Sequence, residues 1–286
     1  MQPTSPPAPS PQPSSLRALR SWVGGRLHHW RAERARQRAL SLPLDLPPEI
    51  QPSDWPDSLR DPTRFYLRCF QYFHRTLPEP LREHRRYFSE AGRGFGEEAF
   101  HVLWHLLVRE LQPVSFLEIG VYRGQIISLI ALLQQLHKLQ GQVYGISPFL
   151  PAGDTVSRYR DDIDYLQDTL VNVERFSLPR PHLLRAFSTD ASARQLVSGQ
   201  PWDLIYIDGN HDYEVVRADW DLCSAQVRQG GVIVLDDSSL STSYRPPAFA
   251  TPGHPGPSRL AGEIDPTRFQ EILQVGHNRA FQKRRA

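Results

Sequence analysis

The stretch FLEIGVYRG, residues 116–124, reads as a buried strand that runs into a glycine turn and then a helix. Leu117 and Ile119 can be buried on the strand. Gly120 and Gly124 allow the backbone to approach a ligand and the following helix to pack close to the sheet. Glu118, Gly120 and Gly124 have the acidic-x-Gly-x-x-x-Gly spacing of a nucleotide-type cofactor loop, with Tyr122 inside it. The third glycine of the dinucleotide fingerprint is missing, which argues against a NAD-dependent enzyme.

Outward from this loop the pattern alternates regularly. Strands are predicted at 114–119, 142–146, 182–187, 202–208 and 231–236, separated by helices at 123–139, 161–175, 190–199 and 213–228. Five strands joined by helices imply a parallel sheet covered on both faces. Upstream, helices are predicted at 63–76 and 79–90. The segment 92–111 reads as a glycine-rich turn and an amphipathic helix with Phe100, Leu103, Trp104, Leu107 and Leu111 on one face.

In an open α/β sheet the ligand lies beyond the carboxyl ends of the strands, so each strand end is a candidate contact. The second strand ends at Ser147, and the third leads to Ser188 and Asp190. Asp190 could accept an exocyclic amino group or cap the next helix. The fourth strand, in DLIYIDGNHDY, ends at Asp208 with His211 three residues on; the fifth, GGVIVLDDSS, ends in the doublet Asp236-Asp237. Three carboxylates at one sheet edge repel unless protonated or bridged by a cation, and oxygen ligands select Mg²⁺ or a similar hard ion.

Residues 114–237 resemble the class I S-adenosylmethionine (SAM) methyltransferases, and within them the metal-dependent O-methyltransferases that act on catechols and macrolide sugars. The resemblance implies a Rossmann-like α/β fold: a mostly parallel seven-stranded sheet with helices on both faces, closed by an antiparallel pair from the tail 271–284. It assigns SAM to Glu118, Gly120, Tyr122, Gly124, Ser147, Ser188, Asp190 and Asp208, and a metal such as Mg²⁺ to Asp208, Asp236 and Asp237, with Asp in place of the usual Asn. The general base falls on His211 instead of Lys, and an imidazole with an unperturbed pKa of roughly 6.5 suits that task. Ser147 stands where many relatives carry the carboxylate that accepts both ribose hydroxyls, a loss of roughly 1–2 kcal/mol of charge-assisted hydrogen bonding.

The rest of the chain bounds these expectations. At 286 residues and 40% hydrophobic content it suits one catalytic domain with appendages. Lys138 and Lys283 are the only lysines, and the 33 basic residues are matched by 31 acids, so charge does not favour a nucleic-acid partner. Two cysteines, Cys69 and Cys223, are too few for a disulfide framework or a zinc site and fit a reducing, cytoplasmic compartment. The longest apolar run, residues 126–133, falls far short of a membrane span. Residues 1–15 are a Pro/Ser-rich tail expected to be disordered. Residues 16–42 form an arginine-rich helical segment, read as a solvated basic face, a peripheral contact with a membrane or partner, or a transit segment. A proline-rich linker completes 16–62, leaving 63–286 as the catalytic domain with a helical cap at 63–112.

The functional expectation is SAM-dependent, metal-assisted O-methylation of a small hydroxylated molecule, a sugar or a phenol. The alternative is a catalytically degenerate SAM-binding or interaction module, motivated by Ser147 and the basic N-terminal segment. The proline-rich residues 241–262 read as a substrate loop, with Tyr244, His254 and Arg259 as candidate contacts.

Overall fold

The computed structural model describes residues 30–45, 47–152 and 159–285; the tail 1–15 and the first part of the basic segment, 16–29, lie outside the described residues. What is described of that segment is helix α1, residues 30–41. It is docked on the domain: Ala39 is buried, and its carbonyl accepts from Gln71 Nε2 at 2.7 Å. No described helix is long and apolar enough to cross a membrane.

The cap is built from α2 (Trp55–Arg60), α3 (Pro62–Arg75), α4 (Glu79–Ser89) and α5 (Glu98–Leu111). The segment 43–62, read as an extended linker, holds a 3₁₀ turn at Pro52–Asp54 and the short helix α2. Pro56 lies in the first turn of α2, where a missing N–H costs no helical bond. The buried Trp55 then anchors the turn, and Ser58 Oγ accepts from the Gln274 backbone N–H at 2.9 Å.

The main body alternates β1 (Ser115–Ile119), α6 (Gln125–Leu136), β2 (Gln142–Ser147), α7 (Tyr165–Arg175), β3 (His182–Arg185), α8 (Ala191–Ser198), β4 (Trp202–Ile207), α9 (Tyr213–Gln226) and β5 (Val227–Leu235). Helix α10 (Pro255–Glu263) and the hairpin β6 (Phe269–Val275) and β7 (Asn278–Lys283) follow. The seven strands lie in the order β3-β2-β1-β4-β5-β7-β6; β1 to β5 pair in parallel, and β7 is antiparallel to both neighbours. The fold is thus the Rossmann-like, mostly parallel seven-stranded sheet implied by the resemblance.

Strand side chains alternate between two cores, as a sheet covered on both faces requires. Phe116, Leu204, Tyr206, Val232 and Val234 pack against α3, α5 and α6. Leu117, Ile119, Ile205, Ile207, Ile233 and Leu235 pack against α8, α9 and α10. Strand β5 begins at Val227, four residues before its predicted start, because Val227 pairs with Trp202 across a register shift. The last eight residues of the predicted loop 241–262 belong to α10, whose Pro255 occupies the first turn, and the rest is loop.

The strand order reverses between β1 and β4, each continuing past the other by one ladder bond. Asp208 N–H donates to Ile119 O at 2.8 Å, and Asp236 N–H donates to Ile207 O at 3.1 Å. The chain ends carrying Glu118–Gly120, Asp208 and Asp236–Asp237 therefore meet at one edge, the switch point where such sheets bind ligands.

Candidate active site

A single cavity of about 660 Å³ opens over these strand ends, within the range of about 300–1,000 Å³ typical of small-molecule sites. At its floor Gly120 has φ +98°, and a Cβ there would lie 1.9 Å from Asp208 O. The close crossing of β1 and β4 thus depends on the absence of a side chain at Gly120. The rest of the loop is clamped from behind: Arg123 forms a bidentate pair with Asp168 on α7, at 2.6 and 3.0 Å, and Asn172 Nδ2 donates to Arg123 O at 2.9 Å.

Glu118 is buried and accepts from the Ile127 backbone N–H, while its Oε2 has no partner. Burial pushes its pKa well above the usual carboxylate range, and Asp236 adds to the rise. An unpartnered buried acceptor on the cavity wall fits the ammonium group of an amino-acid-like ligand such as SAM. Tyr122, Ser147, Ser188 and Asp208 line the same cavity, whereas Gly124 caps α6 behind it. The Asp190 carboxylate is turned away: it accepts from Phe187 N–H at 2.9 Å, is exposed, and lies off the cavity wall.

Asp208 and Asp236 are hydrogen-bonded to each other and titrate as a pair. Burial, then repulsion from Asp236, holds Asp208 well above its usual range, so Asp208 carries the proton. Burial also opposes ionisation of Asp236, but attraction to His277 outweighs it and keeps Asp236 below the usual range. Its Oδ1 is buried without a hydrogen bond.

Asp237 is the hub of the site. Its Oδ2 is 2.8 Å from His211 Nε2 and 3.7 Å from His254 Nε2; its Oδ1 is 3.7 Å from His277 Nε2. His277 Nε2 also lies 3.3 Å from Asp236 Oδ1. Burial pulls the His277 pKa down, but Asp236, followed by Asp237 and Glu97, overrides it and pushes the group up to about 10. Among the described residues, two groups of three donors converge within 4.8 Å: His211, Asp237 and His254, and Asp236, Asp237 and His277. Asp208 belongs to neither group and reaches the cluster through Asp236. The crowding of three carboxylates, with Asp236 Oδ1 buried and met only by the His277 imidazole at 3.3 Å, fits a cation at this edge.

Several residues of the site lay outside the expectations. His277 comes from the β6–β7 turn, where the Gly276-His277-Asn278 run announced a turn but gave no sign of where its imidazole would point. The GRGFG turn supplies Gly94, Phe95, Gly96 and Glu97 to the cavity wall. Glu97 is buried, accepting from Tyr66 Oη at 2.7 Å and Thr251 N–H at 3.1 Å.

A family model described as a methyltransferase domain matches residues 117–238. An uncharacterised protein of Acanthamoeba polyphaga mimivirus, R132, is 24% identical over 185 residues, covering 60% of this chain and 75% of that protein. Among solved structures, a putative caffeoyl-CoA O-methyltransferase from Staphylococcus aureus superposes with a TM-score of 0.53 at 12% identity, over 74% of this chain and 95% of that one. The Podospora anserina methyltransferase PaMTH1, bound to S-adenosylhomocysteine, matches with a TM-score of 0.50 at 15% identity, over 73% and 89%. CalS11, a TDP-rhamnose 3′-O-methyltransferase of calicheamicin biosynthesis, matches with a TM-score of 0.50 at 16% identity, over 77% and 93%. At such identities the structural matches speak to the fold, and the family model to the domain. The family model thus marks residues 117–238 as a methyltransferase domain, and the structural matches show a fold shared with O-methyltransferases.

Proposed function

We propose that this class I SAM-dependent methyltransferase transfers a methyl group to a hydroxyl of a small molecule, a sugar or a phenol, with His211 as the general base. The observation that carries the reading is the unbroken cavity, which runs from Glu118 and Gly120 at the cofactor loop to His211, Asp236 and Asp237 at the neighbouring strand ends. Cofactor and acceptor can therefore meet in one continuous cavity.

Glu118 takes the SAM ammonium group, whose positive charge favours the ionised carboxylate that burial alone disfavours. Ser147 and Ser188 offer neutral hydroxyls to the ribose and adenine end, and Gly120 lets the backbone approach. Asp237 fixes the His211 ring through the 2.8 Å contact at Nε2 and stabilises the imidazolium that forms when His211 takes the acceptor proton. The acceptor oxygen then attacks the methyl carbon in line, the C–S bond breaks, and S-adenosylhomocysteine leaves with the electron pair. A divalent cation at Asp236 and Asp237, with Asp208 beside them, would supply polarisation of the acceptor hydroxyl. The remaining contribution is positioning against the aromatic wall of Phe95, Tyr122, Phe149 and Tyr165.

The test is S-adenosylhomocysteine formation from SAM with a panel of phenols, catechols and glycosides, run beside calorimetric titration with S-adenosylhomocysteine. Turnover on at least one hydroxylated acceptor, lost in His211→Ala with cofactor affinity retained, is the expected result. Cofactor binding without turnover on any acceptor would favour the non-catalytic SAM-binding module that Ser147 motivates. Absence of cofactor binding would sink both readings.

A further inference from the structure

Asp237 presents its two oxygens to different partners. Oδ2 is engaged by His211, and Oδ1 turns towards Asp236 Oδ1 and His277 Nε2. The His277 ring is held from its other side, where Nδ1 lies 3.1 Å from Thr251 O and 3.0 Å from Thr251 Oγ1. A carbonyl oxygen only accepts, so Nδ1 carries a hydrogen; Nε2 faces the two carboxylates, which hold a second proton there in the metal-free protein, and a cation bound at Nε2 would displace that proton. Metal-ligating imidazoles are commonly held in this way, the distal N–H donating to a backbone carbonyl and fixing the ring's orientation. Phe100 packs edge-on against the ring at 4.6 Å and holds its plane.

We infer that Asp236, Asp237 and His277 form a mixed nitrogen–oxygen site for a first-row divalent cation of the Mn²⁺ to Zn²⁺ series, in place of an all-oxygen Mg²⁺ site. The three donor atoms lie within 4.8 Å of one another. Tetrahedral ligands at about 2.0–2.2 Å from such an ion stand roughly 3.3–3.6 Å apart, and His277 Nε2 lies 3.3 Å from Asp236 Oδ1 and 3.7 Å from Asp237 Oδ1. Asp236 Oδ1 supplies a buried oxygen with no other hydrogen bond. An imidazole ligand suits first-row transition metals and zinc, whereas Mg²⁺ favours oxygen and keeps its waters. The rival set of His211, Asp237 and His254 would consume the Asp237 oxygen that already holds His211, and its His254 is 35% exposed. The inference deepens the O-methyl-transfer reading and rests on it for the acceptor hydroxyl that the cation would meet.

The test uses full-length protein stripped with a chelator and titrated with Mn²⁺, Zn²⁺ and Mg²⁺ by calorimetry. Electron spin echo spectroscopy of the Mn²⁺ form then reads nitrogen ligation directly. The expected result is one Mn²⁺ or Zn²⁺ per chain, bound at least 100-fold tighter than Mg²⁺, with a ¹⁴N coupling that disappears in His277→Gln. That variant should also weaken Mn²⁺ by more than the roughly 10–100-fold typical of losing an outer-shell partner. If His277→Gln fails to fold, a ¹⁴N coupling that is present in the wild-type protein and kept in His254→Ala still excludes the rival set. No stoichiometric binding, a preference for Mg²⁺, no nitrogen coupling, or a coupling lost in His254→Ala but kept in His277→Gln would each overturn the assignment. Parallel S-adenosylhomocysteine titrations separate the two readings. Cofactor binding with turnover but no metal sinks the metal site alone, and metal binding without cofactor or turnover sinks the methyl-transfer reading alone.

Discussion

Two sets of three histidines, one in the helical cap and one at the cavity, contain buried members in opposite electrostatic states. On the cap side, His84, His101 and His105 are buried among aromatic rings with no carboxylate holding them. His84 Nδ1 meets His101 Nε2 at 3.0 Å, and His84 Nε2 meets Ser128 Oγ at 2.9 Å. Burial, aided by Arg85, pulls His84 down to about 3; burial, aided by Arg109 and His137, pulls His105 to about 4; His101 lies well below its usual value. On the cavity side, His211, His254 and His277 each lie within 3.7 Å of Asp237, and His277 is pushed up to about 10 despite equal burial. Helix α5 carries His101 and His105 of the first set and meets a member of each, with Phe100 against His277 and its neighbour His101 against His84. Burial therefore does not decide whether a histidine is a packing residue or a charge carrier; the carboxylates at the strand ends do.

The contrast is broken most severely by removing the shared carboxylate. Asp237→Asn keeps the shape but takes the charge from beneath all three site histidines. The kcat of methyl transfer should fall by roughly 10⁴-fold, about 5.5 kcal/mol, as when the orienting acid of a catalytic histidine is neutralised. Steady-state kinetics with S-adenosylhomocysteine titration checks this, and a loss below 10-fold would remove Asp237 from the mechanism.

Next in size is the acid response of the cap. His84 and His105 have folded pKa values below their unfolded value, so the unfolded chain binds more protons as pH falls. Their stabilising contribution is complete above about pH 6.5 and is lost as pH falls towards 4 and 3. For two groups at about 1.4 kcal/mol per unit, the loss between pH 7 and pH 5 is on the order of 4 kcal/mol, a large share of the stability of an ordinary domain. Urea unfolding at the two pH values measures it. His105→Phe should remove about 2 kcal/mol of the loss, leaving the share of His84 and His101, and an unchanged slope would show that His105 is not held neutral.

The half of the site that was legible in the sequence lies in short contiguous runs. Glu118–Gly124, Asp208–His211 and Asp236-Asp237 each sit at the end of an apolar strand, so strand periodicity and the parallel-sheet rule together bring them to one edge. His277, Thr251 and Glu97 were not legible in this way, because each depends on an element whose approach direction local pattern does not encode. His277 arrives on a β-turn after the only antiparallel excursion of the described sheet, and Glu97 arrives on the cap. The proline-rich segments misled for a specific reason. Pro56 and Pro255 each lie in the first turn of a helix, where proline starts the element instead of breaking it. Asp190 shows the converse: its position after β3 was read correctly, but a local bond to Phe187 N–H turns its carboxylate out of the cavity.

The smallest expected effect falls on His254, the site histidine that most resembles an ordinary surface residue. Its backbone is more firmly placed than its ring. His254 N–H donates to Asp237 O at 2.8 Å, Ser258 Oγ donates to the same oxygen at 3.1 Å, and a Cβ on the preceding Gly253 would lie 2.4 Å from that oxygen. All of these survive His254→Ala, so the start of α10 should stay seated on the end of β5. What the substitution removes is a half-exposed imidazole 3.7 Å from Asp237 Oδ2 and 4.4 Å, ring to ring, from His211. At that distance and exposure its interaction with Asp237 is worth about 1 kcal/mol or less, so kcat should fall by no more than about 10-fold, with thermal stability unchanged. The pH–rate profile gives the finer reading. If only His211 exchanges the acceptor proton, the ascending limb keeps its midpoint in His254→Ala. If the two imidazoles share the proton across Asp237, the midpoint moves and kcat drops by far more than 10-fold, and the cavity-side histidines would then have to be treated as one base rather than three separate groups.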